Sequence, residues 1–274
     1  MRSSKEKTMR KRKHLVLKKV MILFMIFCLA GCSRPDSDPP VLENENTVGE
    51  DKLEENEMNN SEEREEMLEI GNVRLSVKEA GSGPDIILIH GRTLSKEDMD
   101  PLFDHYKNKY HVVSYDVRGH GKTESGGECS LDDLSDDLTG LIDAYQLEKP
   151  IVIGFSMGSY ITLRTAERYP DLFAGIVLIG TRGKGHVSQF SIADEVAYAM
   201  ETFDNMSDIA KADLPALVLS GEDDFINPPE EGKKVAEALP KADFKLVPGA
   251  PHEAYRANPD FVFEQTDAFL EHFK

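Results

Sequence analysis

The amino-acid sequence predicts an α/β fold in which a mostly parallel, doubly wound sheet is flanked by helices. Short apolar runs that are typical of strands alternate with longer runs that have helical spacing. Several strand-like runs end in loops with polar side chains, which is where open α/β sheets place their chemistry. The segment over 68–274 is long enough for one globular domain of this class.

The predicted elements follow one another in a regular order. The first half contains strands over 67–70, 73–78 and 85–90, a helix over 96–109 and a strand over 111–116. The second half contains a helix over 131–146, a strand over 151–155, a helix over 160–169, strands over 175–179, 216–220 and 244–247, and a last helix over 259–273. Strands that alternate with helices in this way favour parallel pairing.

A serine flanked by glycines joins the strand over 151–155 to the helix that follows it. The motif reads Gly154-Phe155-Ser156-Met157-Gly158, and its strand–turn–helix context is that of a nucleophile elbow. A side chain at 154 or 158 would collide with the neighbouring strand or helix, and glycine also tolerates unusual backbone angles. The bend raises the Ser156 hydroxyl and directs the helix N-terminus, with its free N–H groups, toward it. Ser156 is therefore the predicted nucleophile.

A serine hydroxyl is a weak nucleophile near neutral pH and needs a base, usually an imidazole. Of the histidines that follow Ser156 in the chain, His252 lies in a loop after the predicted strand over 244–247. His186 precedes every candidate acid, and His272 lies on the terminal helix. His252 is therefore the predicted base.

The base in turn needs a carboxylate that orients it. Glu222, Asp223 and Asp224 all follow the predicted strand over 216–220, at the sheet edge where this residue is required. Asp224 is favoured because it lies deepest in the turn. Solvated acids on a surface turn are the alternative interpretation for the other two.

Five motifs occur in an order that resembles the α/β-hydrolase superfamily, specifically its small serine esterases, peptidases and cofactor-free perhydrolases. The motifs are His90-Gly91, Asp116-Val-Arg-Gly-His-Gly121, the serine motif, Gly221-Glu-Asp-Asp224 with Pro228, and Pro248-Gly-Ala-Pro-His252. The resemblance spans residues 68 to 274. One departure is Pro251, which stands where the histidine loop of this family usually has glycine.

The resemblance implies an oxyanion hole made of the backbone N–H groups of Met157 and Arg92, with Thr93 as the alternative to Arg92. It implies loop-supporting roles for His90 and His120. The Arg92 guanidinium either lines the mouth of the site, where it would favour a carboxylate-bearing substrate, or pairs with a surface acid. The second interpretation is favoured.

The resemblance also implies a serine hydrolase that forms an acyl-enzyme on small carboxylic esters. Acyl transfer, peptide cleavage and perhydrolysis would use the same residues, and a non-catalytic binding lipoprotein is the alternative of a different class. The family inserts its cap where residues 181–214 stand, with one amphipathic stretch over 192–203. This cap is short, so we expect a preference for short-chain esters.

The N-terminus has the layout of a secretory signal peptide. Residues 1–19 carry nine Lys or Arg against one Glu, and eleven apolar residues follow over 20–30. Eleven residues are too few to cross a bilayer, which takes about twenty. Leu29-Ala-Gly-Cys32 resembles the lipobox of bacterial lipoproteins. We therefore expect a signal peptide over 1–31 and a lipid anchor at Cys32 that holds the protein on the extracytoplasmic side of the cell membrane, with simple secretion as the alternative.

The segment over 32–67 is predicted to be a disordered acidic linker. From Ser33 to Met67 it holds thirteen Asp or Glu, three Lys or Arg and three prolines. Such a composition buries too little apolar surface to offset chain entropy. As a coil, about 35 residues reach on the order of 30–36 Å. A binding segment for a cationic partner is the alternative interpretation.

The composition of the domain disfavours several function classes. From residue 68 onward, 36 acidic and 20 basic residues give a net charge of −16, which disfavours nucleic acid and favours neutral or cationic substrates. The sequence contains no phosphate loop, dinucleotide fingerprint or metal-ligand cluster, so no cofactor and no metal are expected. Cys129 is expected to be a packed, inert thiol, because Cys28 leaves with the signal peptide and Cys32 carries the lipid.

Overall fold

The computed structural model describes residues 62–124, 126–186, 194 and 196–273. The predicted signal peptide, Cys32 and the linker up to residue 61 lie outside the described residues. The first strand begins at Arg64, three residues earlier than predicted, so the last part of the predicted linker belongs to the sheet.

In the described part of the chain, eight strands form one sheet. They are β1 (Arg64–Ile70), β2 (Val73–Ala80), β3 (Asp85–Ile89), β4 (His111–Tyr115), β5 (Ile151–Phe155), β6 (Gly175–Ile179), β7 (Ala216–Gly221) and β8 (Ala242–Val247). Their spatial order is β1-β2-β4-β3-β5-β6-β7-β8. β2 pairs antiparallel with β1 and β4, and all other neighbours pair in parallel.

Seven α-helices within residues 62–273, apart from the gaps named above, flank the sheet. They are α1 (Asp100–Tyr106), α2 (Leu131–Tyr145), α3 (Met157–Arg168), α4 (Ala197–Thr202), α5 (Pro229–Ala238), α6 (Ala254–Ala257) and α7 (Pro259–Leu270). Short 3₁₀ turns cover Lys96–Met99, Ile209–Lys211 and Glu271–Phe273. Among the described residues, no helix combines the length and apolar character that crossing a bilayer requires.

Successive residues of the central strands enter different cores on the two faces of the sheet. Ile87 and Ile89 of β3 pack with α2, α3, α4 and α5, whereas Ile86 and Leu88 pack with α1, α6 and α7. Burial on both faces explains why these strands are apolar along their whole length. The predicted fold class, a doubly wound and mostly parallel sheet with helices on both faces, is confirmed.

The helix predicted over 96–109 is divided in two. Lys96–Met99 forms a 3₁₀ turn, and α1 begins at Asp100. Pro101 has no N–H group with which to bond the carbonyl of Glu97, and that carbonyl accepts from the Asp100 N–H instead. Proline therefore sets the boundary between the two helical types.

Two helices, α5 and α6, were not predicted. α5 begins at Pro229 and carries five charged residues, and it buries little beyond Gly232, Val235 and Ala236. Its apolar stripe is too narrow to indicate a helix from periodicity. α6 is a single turn of four residues, which is too short to give a periodic pattern.

The carboxylate of Asp116 ties the end of β4 to two loops. It is fully buried and accepts the N–H groups of Lys96 (2.7 Å) and Lys122 (2.8 Å), and the Lys96 ammonium lies 3.2 Å away. Gly121 has φ of +51°, and a Cβ there would lie 2.2 Å from the carboxyl carbon of Asp116. The glycine of this motif is thus required by close approach to a buried charge.

Glu167, on α3, is a buried carboxyl group without full hydrogen bonding. Its Oε1 atom is buried and has no partner, and Arg164 lies 3.4 Å from Oε2. Burial raises the pKa of Glu167 to about 8 despite the nearby guanidinium of Arg164. The native state thus holds a proton that the unfolded chain releases near pH 4.5.

This pKa predicts a pH-dependent gain in stability from Glu167→Gln. The contribution of a raised carboxyl pKa to stability is complete below about pH 4.5 and is lost as pH rises toward 8. Glutamine does not titrate, so the variant should be close to wild type at pH 5 and on the order of 2 kcal/mol more stable at pH 8. Urea unfolding at both pH values measures the difference.

The matched control is Glu237→Gln, which changes an exposed carboxylate on α5. It should alter the free energy of unfolding by less than about 0.5 kcal/mol at either pH. A Glu167→Gln effect that is the same at pH 5 and pH 8 would contradict the assigned proton.

Candidate active site

The backbone at Ser156 has the sharp bend that the sequence predicts. Ser156 has φ of 49° and ψ of −113°, which is rare for a residue with a side chain. A Cβ at Gly154 would lie 2.4 Å from the carbonyl oxygen of Gly158, and one at Gly158 would lie 2.2 Å from that of Ile89. Both contacts are shorter than any side chain permits. The two glycines therefore allow α3 to start directly against β3 and β5.

Three predicted side chains meet at the carboxyl edge of the sheet. The His252 Nε2 atom lies 2.9 Å from the Ser156 Oγ atom, and its Nδ1 atom lies 2.7 Å from Asp224 Oδ2. Ser156 follows β5, Asp224 follows β7 and His252 follows β8. Parallel strands end at one edge, so residues 28 and 96 positions apart become neighbours.

The carboxylate of Asp224 is fully buried and fixed by its own turn. Its Oδ1 atom accepts the backbone N–H groups of Ile226 (2.9 Å) and Asn227 (2.8 Å), which leaves Oδ2 for the Nδ1–H group of His252. Glu222 instead accepts the N–H of Gly249, and Asp223 is exposed. Of the three candidate acids, the structure brings Asp224 to the imidazole.

The two residues predicted to supply oxyanion donors, Met157 and Arg92, both lie next to residues that contact the Ser156 turn in the chain or in space. Met157 is the first residue of α3, where a helix leaves its N–H groups without an intrahelical acceptor. Gly91 lies so close to the bend that a Cβ there would be 3.4 Å from Ser156 Cβ and 2.9 Å from the Phe155 ring. Arg92 is the next residue after this close contact, and its N–H group stays a predicted oxyanion donor.

His90 and His120 support this loop, in the roles expected from the sequence. Burial lowers the pKa of His90 to about 4, so its ring is neutral at physiological pH. Its Nδ1–H group donates to the Gly91 carbonyl (2.7 Å), and its Nε2 atom accepts the Val117 N–H (2.9 Å). The ring thus joins the loop after β3 to the loop after β4. His120 contacts the Arg118 carbonyl at 2.8 Å.

The side chain of Arg92 is held by an ion pair. Its Nε and Nη2 atoms each lie 2.7 Å from one carboxylate oxygen of Asp194, in a bidentate arrangement. Of the two interpretations of this guanidinium, the pairing with an acid is the one that the structure supports. Asp194 belongs to the predicted cap, so the pair links the cap to the oxyanion loop.

Two further residues of the site were not predicted. The Asn227 side-chain amide donates to the Tyr160 hydroxyl and to the Gly180 carbonyl, both at 2.6 Å. Burial raises the pKa of Tyr160, and hydrogen bonds with Asn227 and Ser156 oppose this rise. Tyr160 stands one helical turn after Ser156 on the same face of α3, and this spacing was the available signal.

Cys129 is buried in the core below α2 and α3. Within the described ranges, no group of three or more His, Cys, Asp and Glu side chains is arranged to hold a metal ion.

The domain is similar in sequence to known hydrolases. A family model described as the alpha/beta hydrolase fold matches residues 84–213. Over 115 residues the chain is 35% identical to 2-(acetamidomethylene)succinate hydrolase from Mesorhizobium japonicum. That alignment covers 41% of this chain and 41% of the relative, so the chain matches about two fifths of the relative's own length.

The fold is also that of solved hydrolase structures. An esterase from Thermogutta terrifontis has a TM-score of 0.68 at 21% identity, with 77% of this chain and 99% of that chain covered. The enol-lactonase from Burkholderia xenovorans LB400 has a TM-score of 0.71 at 19% identity, with coverages of 75% and 100%. At these identities the likeness is one of fold.

The geometry predicts that Asp224 controls the reactivity of Ser156. Asp224→Asn should lower the rate of Ser156 labelling by a fluorophosphonate about 10³- to 10⁴-fold, because the amide no longer holds the imidazole in the required tautomer. Intact mass spectrometry over time measures the labelling rate.

Asp223→Asn is the matched control. It makes the same change one residue earlier, at an exposed position, and should leave the rate within about twofold. Equal labelling rates in the two variants would show that Asp224 does not orient the base.

Proposed function

We propose that the protein is a member of the α/β-hydrolase superfamily and acts as a lipid-anchored, extracytoplasmic serine hydrolase of small carboxylic esters. The match to the α/β-hydrolase family model and the similarity to named hydrolases support this proposal. The observation that carries the chemistry is the hydrogen-bonded series Ser156–His252–Asp224 at the edge of the sheet. A nucleophile, a base and an orienting acid in this geometry support acyl transfer through a covalent intermediate.

The first half of the proposed reaction acylates the serine. The Ser156 oxygen attacks the ester carbonyl carbon while His252 Nε2, 2.9 Å away, takes the hydroxyl proton. The buried Asp224 carboxylate stabilises the imidazolium that forms. The carbonyl oxygen becomes an oxyanion, which the N–H groups of Met157 and Arg92 hold. The tetrahedral intermediate then expels the alcohol, which receives its proton from His252.

The second half returns the free enzyme. A water molecule gives one proton to His252 and attacks the acyl carbon, which forms a second oxyanion at the same two N–H groups. Collapse of this intermediate breaks the bond to Ser156, and His252 returns the proton to the serine oxygen. The products are a carboxylic acid and an alcohol, and no cofactor takes part.

The proposed preference for short acyl groups rests on the size of the cap. The described part of the cap contains one six-residue helix, α4, and one 3₁₀ turn, Ile209–Lys211. A long acyl chain binds well only if it is buried against apolar protein surface. A cap of this size provides little such surface. Peptides, peracid formation and transfer to other acyl acceptors use the same triad and are outcomes of a substrate screen.

The proposed location rests on the N-terminal sequence alone. A basic segment, eleven apolar residues and the lipobox-like Leu29-Ala-Gly-Cys32 support export followed by lipidation of Cys32. One acyl chain gives marginal membrane binding, whereas two chains anchor a protein stably. The acidic segment that follows is proposed to act as the tether between the anchor and the catalytic domain.

The catalytic proposal predicts hydrolysis of p-nitrophenyl esters with a maximum at short acyl chains. Wild type should be most active well below about ten acyl carbons, because the cap is short. Ser156→Ala should lower kcat/KM by at least about 10³-fold, since the nucleophile is removed. Release of p-nitrophenolate measures the rate across the series.

Ser207→Ala is the control for the substitution itself. Ser207 is exposed, so the activity of the Ser207→Ala variant should match that of wild type. A folded wild-type protein that neither hydrolyses any ester nor labels with fluorophosphonate would favour the non-catalytic binding role.

The anchoring proposal predicts a lipid-modified N-terminus at Cys32. Protein extracted from membranes of the expressing bacterium should have an intact mass equal to residues 32–274 plus a diacylglyceryl group, with or without a further acyl chain. Cys32→Ala should abolish this mass. Cys28→Ala changes the neighbouring cysteine inside the signal peptide and should preserve it. A soluble product cleaved at another site would overturn the proposal.

A further inference from the structure

Arg182 is a cation in the loop after β6 whose side chain has no ion-pair partner among the described residues. It stands three residues after the end of β6, and its Nε atom is buried without a hydrogen-bond acceptor. The hydroxyl oxygen of the preceding residue, Thr181, is also buried and unpartnered. Buried donors in folded proteins are normally bonded, because leaving one unpaired is costly. The Arg182 Nε–H group and the Thr181 hydroxyl can therefore both donate a hydrogen bond to a ligand.

The other arginines in the described residues are paired. Each of these seven forms an ion pair with an Asp or Glu side chain: Arg64, Arg74, Arg92, Arg118, Arg164, Arg168 and Arg256. No described carboxylate forms such a pair with Arg182. The domain has 36 acidic residues, and within its described part Arg182 is the arginine that none of the carboxylates pairs with.

The backbone places Arg182 close to the reacting groups. Gly180, at the end of β6, lies so near the base that a Cβ there would be 3.2 Å from Cε1 and Nδ1 of His252. The charge of Arg182 also acts on the Tyr160 hydroxyl and lowers its pKa against the effect of burial. That hydroxyl interacts in turn with Ser156. Tyr160 thus interacts with both Arg182 and Ser156.

From this arrangement we infer that Arg182 is a specificity-determining residue that binds a free carboxylate of the substrate. The preferred substrates are then esters that carry a second, ionised carboxyl group a few carbons from the scissile bond. The inference deepens the proposed function and depends on it. A planar guanidinium matches a carboxylate in two parallel hydrogen bonds, and the Thr181 hydroxyl supplies a further donor.

This inference reverses the substrate charge expected from composition. The net charge of −16 acts on an approaching anion from a distance, and at physiological ionic strength such fields are screened over about 8 Å. Arg182 acts at contact and in a partly buried position, where screening is weak. The overall charge therefore slows the encounter, whereas the local cation determines which bound substrate is favoured.

The test compares esters that differ in one charge. In the first pair, mono-4-nitrophenyl glutarate carries a carboxylate on its acyl group, and 4-nitrophenyl pentanoate is its neutral counterpart. In the second pair, 4-acetoxybutanoate carries the carboxylate on its alcohol group, and 4-acetoxybutanamide is the neutral counterpart. In wild type we expect the anionic member of at least one pair to have the higher kcat/KM. In Arg182→Gln the ratio of anionic to neutral kcat/KM should fall about 10- to 100-fold in that pair, mainly through KM.

Two further variants complete the test. Arg182→Lys keeps the charge but loses the bidentate geometry, so its ratio should lie between those of wild type and Arg182→Gln. Lys184→Gln removes one positive charge two residues away, from an exposed side chain paired with Asp204, and should leave the ratio within about twofold. Fluorophosphonate labelling of each variant verifies that the folded site is intact.

The outcomes separate the two proposals. If wild type hydrolyses neutral esters and the ratio is the same in Arg182→Gln in both pairs, the carboxylate inference is wrong while the serine hydrolase proposal stands. If Lys184→Gln lowers the ratio as much as Arg182→Gln does, the effect is one of general charge and the inference is again overturned. If wild type hydrolyses no ester, both proposals fail.

Discussion

The close approach of the Ser156 turn to the end of β3 is the constraint on which the site depends. A positive φ at a residue with a Cβ costs on the order of 1–3 kcal/mol and persists only where the surroundings enforce it. Here the Ser156 N–H donates to the Ile179 carbonyl at 2.8 Å, while Gly158 packs against the Ile89 carbonyl. Backbone from two neighbouring strands thus holds the serine. The strain places its hydroxyl above the sheet, where the imidazole can reach it.

Buried polar groups hold the loops around this turn, and each is satisfied in a different way. The Asp116 carboxylate accepts two backbone N–H groups and lies beside the Lys96 ammonium. His90 stays neutral because burial disfavours its charged form and because its two ring nitrogens need one donor and one acceptor. Asp224 uses one oxygen for its own turn and the other for His252. Loops with so few free polar groups have few alternative conformations, which pre-organises the site.

The sequence predicted the fold and the three converging side chains for one physical reason. Ser156, Asp224 and His252 each follow an apolar strand, and the ends of parallel strands meet at one edge whatever the intervening chain does. The split of the helix at Pro101 and the omission of α5 have another cause. The split at Pro101 depends on single backbone hydrogen bonds, and α5 buries only a narrow apolar stripe. The spacing of apolar residues in the sequence reveals neither feature. The spacing of Tyr160 after Ser156 was a local signal, but its hydrogen bond with Asn227 joins residues 67 positions apart, and no local pattern encodes that contact.

Pairing also separates two arginines that look equivalent in the sequence. Arg92 and Arg182 each stand three residues after the end of a strand, β3 and β6, and the sequence analysis considered a binding role only for Arg92. Arg92 has its partner, Asp194, within the chain, so its interaction free energy contributes to the scaffold before any ligand arrives. Arg182 has a buried donor without an acceptor, so the corresponding free energy is gained only when an external anion binds. An interaction that forms only when the ligand binds discriminates among ligands. The net negative charge of the surface does not prevent it, because solvent ions screen the long-range field but not the direct contact.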